Sequence, residues 1–177
     1  MNSMKRNIET YILAKDGNRP HLMADAFAKD AELSMLVKTE DIAFPSAAFG
    51  RDAIEAVLVR QFAAQYENVY TFCITDAPSE TGVFVCDWLV CMTEKATGAV
   101  RLGFGEYEWT GDAGLISRLK ITIEEMLVLD NDLAAPLLAW AETRPYPWCT
   151  LDQLIQDLPP IDALQRITLV LAEQGRI

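Results

Sequence analysis

Between Thr81 and Leu129 apolar and polar residues follow strand-like runs, interrupted twice by turn residues. Ala96-Thr97-Gly98 and Thr110-Gly111-Asp112-Ala113-Gly114 divide the stretch into three predicted strands, Thr81–Glu94, Ala99–Trp109 and Leu115–Leu129. Three antiparallel strands of this length form a curved sheet, whose faces the flanking segments must cover. Upstream, the period changes. Met4, Ile8, Tyr11 and Ile12 share one face of a helix over Ser3–Lys15, closed by Asp16-Gly17, with the glycine as the left-handed exit. Asn18 is placed to cap a second helix with Pro20 in its first turn and Leu22, Met23, Ala26 and Phe27 as its stripe. Leu33, Met35 and Val37 alternate with Glu32 and Ser34, which predicts a strand over Ala31–Val37. A loop over Lys38–Phe49 leads to Gly50-Arg51-Asp52-Ala53-Ile54, the start of a third helix. Val57, Leu58, Phe62 and Tyr66 continue its stripe, and Val69–Thr75 is a fourth strand.

Beyond Leu129 the pattern is helical and interrupted by proline. Asn131–Glu142 reads as a helix, and Thr150-Leu151-Asp152-Gln153 is a capping box. Ile161, Leu164, Ile167 and Leu171 keep helical spacing to Gln174. No internal repeat or low-complexity linker separates this tail, so the organisation expected is a domain over 1–129 with a helical extension over 130–177. The strands are apolar on both parities around Asp87, and Phe104 points outward among charged residues. The extension is therefore expected to cover the convex sheet face, of its own chain or of a homodimer partner. A homodimer is favoured, because the tail carries more apolar side chains than one face needs.

Composition narrows the classes. With 51% hydrophobic and 23% charged residues the chain is globular, and a net charge of −11 without any Lys/Arg cluster argues against nucleic acid and anionic membrane surfaces. No apolar run approaches the ~18 residues of a membrane span. The first residues show no signal-peptide core. The four cysteines Cys73, Cys86, Cys91 and Cys149 form no CxxC pair. They read as core thiols of a cytoplasmic protein, with no metal site. The single histidine, His21, follows Pro20 at a helix start and reads as a surface residue.

The order of elements, together with Tyr11 before Asp16-Gly17, Phe27-Ala28-Lys29-Asp30-Ala31 leading into a strand, Gly50-Arg51-Asp52-Ala53-Ile54, Asp87-Trp88 and Gly114-Leu115-Ile116, resembles the nuclear-transport-factor-2-like superfamily. This superfamily includes SnoaL-like polyketide cyclases and ketosteroid isomerases. The resemblance covers about Ile8 to Leu129. It implies an α+β, cystatin-like fold in which a curved mixed sheet encloses three N-terminal helices around an apolar pocket, without cofactor. It also places the family's functional positions. The oxyanion-donating tyrosine of the isomerases falls on Tyr11 and their general base on Met35. Their assisting acid falls near Gly105, and a last-strand aspartate of cyclases and epoxide hydrolases falls on Ile121. Methionine, glycine and isoleucine transfer no proton, so those mechanisms are not inherited intact.

Asp87 is then the carboxylate of interest, as an acid or base paired with Tyr11 across the pocket or as a structural group on the convex face; both parities of its strand are apolar, so the sequence leaves the face open. Tyr107 and Trp109 share a parity with Gly103 and Gly105, which suggests aromatics and bare backbone facing the pocket, with Phe27, Met35, Phe62 and Ile121 as further lining. Leu119, Ile121 and Ile123 are expected inward and Arg118, Lys120, Thr122 and Glu124 outward; a slip of one residue would exchange Ile121 for Lys120. The expected function is binding of a small, largely apolar, oxygenated molecule. The alternatives are a cofactor-free isomerase, dehydratase, cyclase or hydrolase using Asp87 and Tyr11, and a protein-interaction module.

Overall fold

The N-terminal stripe folds as α1 (Met4–Asp16), capped by the Ser3 side chain, which accepts from the Arg6 amide. The computed structural model describes residues 3–79, 82–112 and 114–175. The left-handed exit from α1 falls on Asn18 (φ 52°) and not on Gly17 (φ −96°). Asparagine tolerates that region. Gly17 is needed for space, since a Cβ there would lie 2.9 Å from the Leu13 carbonyl oxygen. With Asn18 occupied in the exit, the second helix starts from Arg19 and is one 3-10 segment, Pro20–Asp25. Phe27 belongs to the strand after it, β1 (Phe27–Val37).

Within the expected loop, β2 (Ala47–Phe49) pairs antiparallel with β1. The third helix is interrupted: α2 (Arg51–Glu55) passes through a π-helical segment, Ala56–Gln61, into α3 (Phe62–Gln65). Four longer strands follow, β3 (Tyr66–Cys73), β4 (Val83–Glu94), β5 (Val100–Asp112) and β6 (Leu115–Leu129). The expected strand start Thr81, and Ala113 of the second turn, lie outside the described residues. The sheet order is β2-β1-β6-β5-β4-β3, with β1 and β6 parallel and every other pair antiparallel. The architecture is α+β, a mixed sheet wrapped around the N-terminal helices.

Strand parity then sorts the side chains. On β4, Trp88, Val90 and Met92 point into the concave core with Tyr11 and Ile8 of α1, while Leu89 and Cys91 point to the convex side. On β6, Leu119, Ile121 and Ile123 are buried in the concave core as expected. Thr122, expected at the surface, is 8% exposed: it is a short side chain on a strand flanked on both sides, paired with Leu36 and Glu106.

The tail supplies α4 (Ala134–Ala141), α5 (Leu151–Leu154) and α6 (Asp162–Gln174), and α5 is opened by the reciprocal Thr150–Gln153 capping box. Leu137, Trp140 and Leu164 form one buried cluster with Phe72, Leu89 and Phe104 of the convex face. Between α4 and α5 the chain runs beside the edge strand. The Cys73 amide donates to the Pro147 carbonyl at 2.7 Å, and the Cys149 amide donates to the Cys73 carbonyl at 2.9 Å. That pairing occupies part of the β3 edge. The convex face is covered by the chain's own extension, which leaves Ile155 and Leu169 exposed on its outer side.

Candidate ligand site inside the cone

Residues four apart on a helix share a face, so α1 directs Tyr11 and Lys15 together into the concavity. Trp88, Val90 and Met92 of β4 and Tyr107 of β5 meet them from the sheet. Met35, Ile121, Ile123 and Met126 add the β1–β6 side, and Leu58, Phe62 and Phe44 close the remainder. The space between them is about 40 Å³. A benzene-sized guest needs roughly 150 Å³, so this state holds only a few atoms. Met35, Met92 and Met126 are the adaptable part of the wall, because an unbranched thioether changes rotamer at little cost. Outside it lies a cleft of about 420 Å³, and Ile42, Phe44 and Phe62 line both spaces. At its rim the Arg101 guanidinium donates to the Asp41 carbonyl and, at 3.4 Å, to the Tyr66 hydroxyl, tying the 38–46 loop to the sheet.

The closed end of the cone is aromatic. Phe27 and Trp109 each stand edge-on to Tyr11 at 5.5 Å, Trp109 meets Tyr107 at 5.0 Å, and Tyr107 meets Trp88 at 5.6 Å. The Tyr11 hydroxyl and the indole N–H groups of Trp88 and Trp109 are buried there without a hydrogen-bond partner. Each such group costs about 1–3 kcal/mol if left so.

The polar corner is built on Asp16. Lys15 Nζ donates to Thr71 Oγ1 at 2.7 Å, lies 3.0 Å from Asp16 Oδ1 and stands 4.7 Å from the Phe62 ring centre. The Thr71 hydroxyl donates to Asp16 Oδ1 at 2.9 Å, and the Thr71 amide to Oδ2 at 2.8 Å. Tyr146, from the extension, donates to the same Oδ2 at 2.5 Å. The ammonium is thereby held on the cavity wall by partners on two elements.

Burial raises the Tyr11 hydroxyl well above the ordinary phenol range, helped by the nearby Asp16 carboxylate and Cys73 thiol, so Tyr11 is a neutral donor at physiological pH. Tyr107 is raised in the same way, by burial first and Tyr11 next. Burial pushes Cys149 up to about 11 against an opposing pull from Arg144, and raises Cys91 further. All four hold their protons to higher pH when folded than when unfolded. The stability they share in is complete below the unfolded values, about 8.5 for thiols and about 10 for phenols, and is lost as pH rises above them. The urea midpoint should therefore be flat from about pH 7 to 8 and fall steadily between about pH 9 and 11. A flat midpoint to pH 11 would contradict these burials.

Of the sequence-derived residues, Tyr11, Met35, Phe62, Tyr107 and Ile121 line the cavity. Ile121, not Lys120, faces inward. Phe27 and Trp109 stand behind Tyr11 as its packing partners. Gly105 lies against the Trp88 ring and does not line the space: a Cβ there would come 2.9 Å from Trp88 Cζ2 and overlap the Thr122 carbonyl oxygen. Asp87 is not in the cone. It follows Cys86 and precedes Trp88, both concave, so strand alternation sends it to the convex side, where it lines a cleft with Asp76, Thr150 and Leu171. Tyr11 and Asp87, the pair of the catalytic alternative, are thus not brought together, and Asp87 takes the convex side left open as its other position. Lys15 and Thr71 were not singled out from the sequence, and Trp88 entered only through the Asp87-Trp88 motif and not as a lining residue. The available signal was the four-residue step from Tyr11 to Lys15, which a polar helix end obscures. Among the described residues no group of three His, Cys, Asp or Glu side chains could hold a metal ion. Among the same residues, no helix is long and apolar enough to cross a membrane.

No protein-family model and no curated protein matches the chain. Solved structures do. A hypothetical protein with a ketosteroid-isomerase-like fold from Catenulispora acidiphila, in complex with trimethylamine, is similar over 65% of this chain and 82% of its own, with 16% identity and a TM-score of 0.53. A computationally designed 17-OHP binder is similar over 70% of this chain and 95% of its own, with 16% identity and a TM-score of 0.56. An epoxide hydrolase of M. tuberculosis, described as LEH-like, is similar over 68% and 81%, with 11% identity and a TM-score of 0.51. The chain therefore has the nuclear-transport-factor-2-like fold, the cone of ketosteroid-isomerase-like proteins. Its neighbours in that fold include isomerases, hydrolases, cyclases and ligand binders, and the fold alone does not choose among them.

Proposed function

We propose that the protein binds a small, largely apolar molecule bearing one oxygen acceptor, such as a ketone, and binds it without turning it over. One observation carries this reading: two of the residues on a largely apolar wall, Tyr11 and Trp88, hold a buried hydroxyl and a buried indole N–H with no protein acceptor. Lys15 adds a cation beside them. A wall offering donors is complementary to a carbonyl oxygen, and the aromatic and methionine surface to the hydrocarbon around it. Neighbours in the same fold include a protein in complex with trimethylamine and a designed 17-OHP binder, which is consistent with small-molecule binding. Against catalysis stand Met35 and Ile121, which offer no titratable group, and Asp16, whose oxygens are already engaged by Lys15, Thr71 and Tyr146.

The test is a titration with cyclopentanone, followed on the indole N–H signals. Those of Trp140 and Trp148 are bonded to the Gln156 carbonyl and to Glu9, so they serve as internal references. The Trp88 signal should move and theirs should not. Tyr11→Phe should weaken binding about tenfold, the worth of one hydrogen bond of about 1.4 kcal/mol, while leaving stability unchanged or slightly higher because a buried unpaired hydroxyl is removed. A Trp88 signal indifferent to the ketone would overturn the reading.

A further inference from the structure

The extension does more than cover the convex face: between α4 and α5 it crosses the sheet edge and grips α1. The Trp148 indole donates to Glu9 Oε2 at 2.9 Å, and the Tyr146 hydroxyl donates to Asp16 Oδ2 at 2.5 Å. Glu9 and Asp16 are seven residues apart, so the two grips are about 10 Å apart along the helix. Tyr11 and Lys15, the two cavity donors on α1, lie between them. The strap itself is fixed. Pro147 and Cys149 are bonded to Cys73 of β3, Trp148 packs 6.2 Å from Phe84, and the Tyr146 ring stands against Tyr70 and Phe72 at 6.2 and 6.0 Å.

We propose that the strap 146–149 is a positioning element of the cavity, with Tyr146 holding Asp16 so that Asp16 holds Lys15 toward the ligand's oxygen. A carboxylate offers about four lone-pair positions. Asp16 uses one oxygen for Lys15 and the Thr71 hydroxyl and the other for the Thr71 amide and Tyr146, so its orientation is fixed from both sides. Without the Tyr146 hydroxyl, Oδ2 keeps one donor and faces the outer cleft it already lines with Gly17, Asn68 and Tyr70. Water entering there would compete for the carboxylate, and Lys15 would lose its fixed place. Tyr146 is 42% exposed, so removing its hydroxyl disturbs little packing. It touches no ligand; it acts through Asp16 and Lys15. The proposal rests on the reading of the cavity as a site for an acceptor-bearing molecule.

The experiment compares the full-length protein with Tyr146→Phe, which keeps the ring, and with Tyr70→Phe, which removes a neighbouring hydroxyl not bonded to Asp16. Two probes of one shape are used, cyclopentanone and methylenecyclopentane, and the Lys15 side-chain ammonium is observed by 15N NMR. Tyr146→Phe should weaken cyclopentanone binding three- to tenfold, leave methylenecyclopentane binding unchanged, and speed proton exchange at the Lys15 ammonium. Tyr70→Phe should change none of these. An equal loss for both probes would make Tyr146 a packing residue and overturn the proposal, as would unchanged ketone affinity with an unchanged Lys15 signal. If the wild-type protein binds neither probe, the functional reading fails on its own, and the Lys15 signal still decides whether the strap holds the lysine.

Discussion

A chain ending at Asp130 should not survive as a soluble, folded monomer. The cut removes everything that covers the convex face and exposes Phe72, Leu89, Cys91, Val100, Leu102 and Phe104, each now 2% exposed or less. Fully burying a large apolar side chain is worth about 1.5–3 kcal/mol, so losing this cover costs on the order of 10 kcal/mol. A domain's whole stability is about 5–15 kcal/mol. The cut also frees part of the β3 edge where Cys73 pairs with the strap, beside a newly apolar surface, and that combination favours association between sheets. Size-exclusion chromatography should find aggregate or a new oligomer, and thermal melts should find the cooperative transition lost or lowered by tens of degrees. A truncated protein that stays monodisperse and melts with the full chain would refute the packing described for the tail.

Much of this fold was legible because its signals are local and repeated. The three long strands declared themselves through alternation and turn chemistry, the capping box at Thr150 through its spacing, and the inward set Leu119, Ile121 and Ile123 through parity with charged neighbours. Where both parities are apolar the same logic gives no answer. On β4, Asp87 could be assigned to neither face until the tail was seen to cover the convex one, because burial on both sides erases the alternation that reports direction. The cavity was half legible for a related reason. Tyr11, Met35 and Phe62 are large apolar or aromatic residues at helix or strand spacing, and pattern finds such residues. Lys15 is a lysine in the last turn of a helix, where a cation is ordinarily a solvated partner of the helix dipole. Its partner Thr71 lies 56 residues further on, and Tyr146, which bonds the neighbouring Asp16, lies 130 residues beyond that aspartate, contacts that no periodicity encodes. The break in helix three is likewise silent in the sequence, since a π-helical segment changes the hydrogen-bond step and not the residue types.

Asp16→Ala should be among the most damaging single changes in the protein, costing about 3–5 kcal/mol. The side chains of Lys15 and Asp16 are only 8% and 5% exposed, so the pair is a buried one. Removing one member of a buried ion pair leaves the other charge without its partner, and that penalty exceeds the net worth of the intact pair. Here the alanine also strands the Thr71 amide and the Tyr146 hydroxyl, which would otherwise donate to the carboxylate. Lys15→Met should cost less, because Asp16 keeps three donors and a methionine fits beside Phe62 and the other methionines of the wall. The double variant Lys15→Met/Asp16→Asn should be more stable than Asp16→Ala alone: it carries no charge into the corner, and the asparagine oxygen still accepts from Thr71 or Tyr146. Urea unfolding of the three variants measures this ordering. If Asp16→Ala cost less than about 1 kcal/mol, the carboxylate would not be holding a buried ammonium, and the polar corner of the cavity would have to be redrawn.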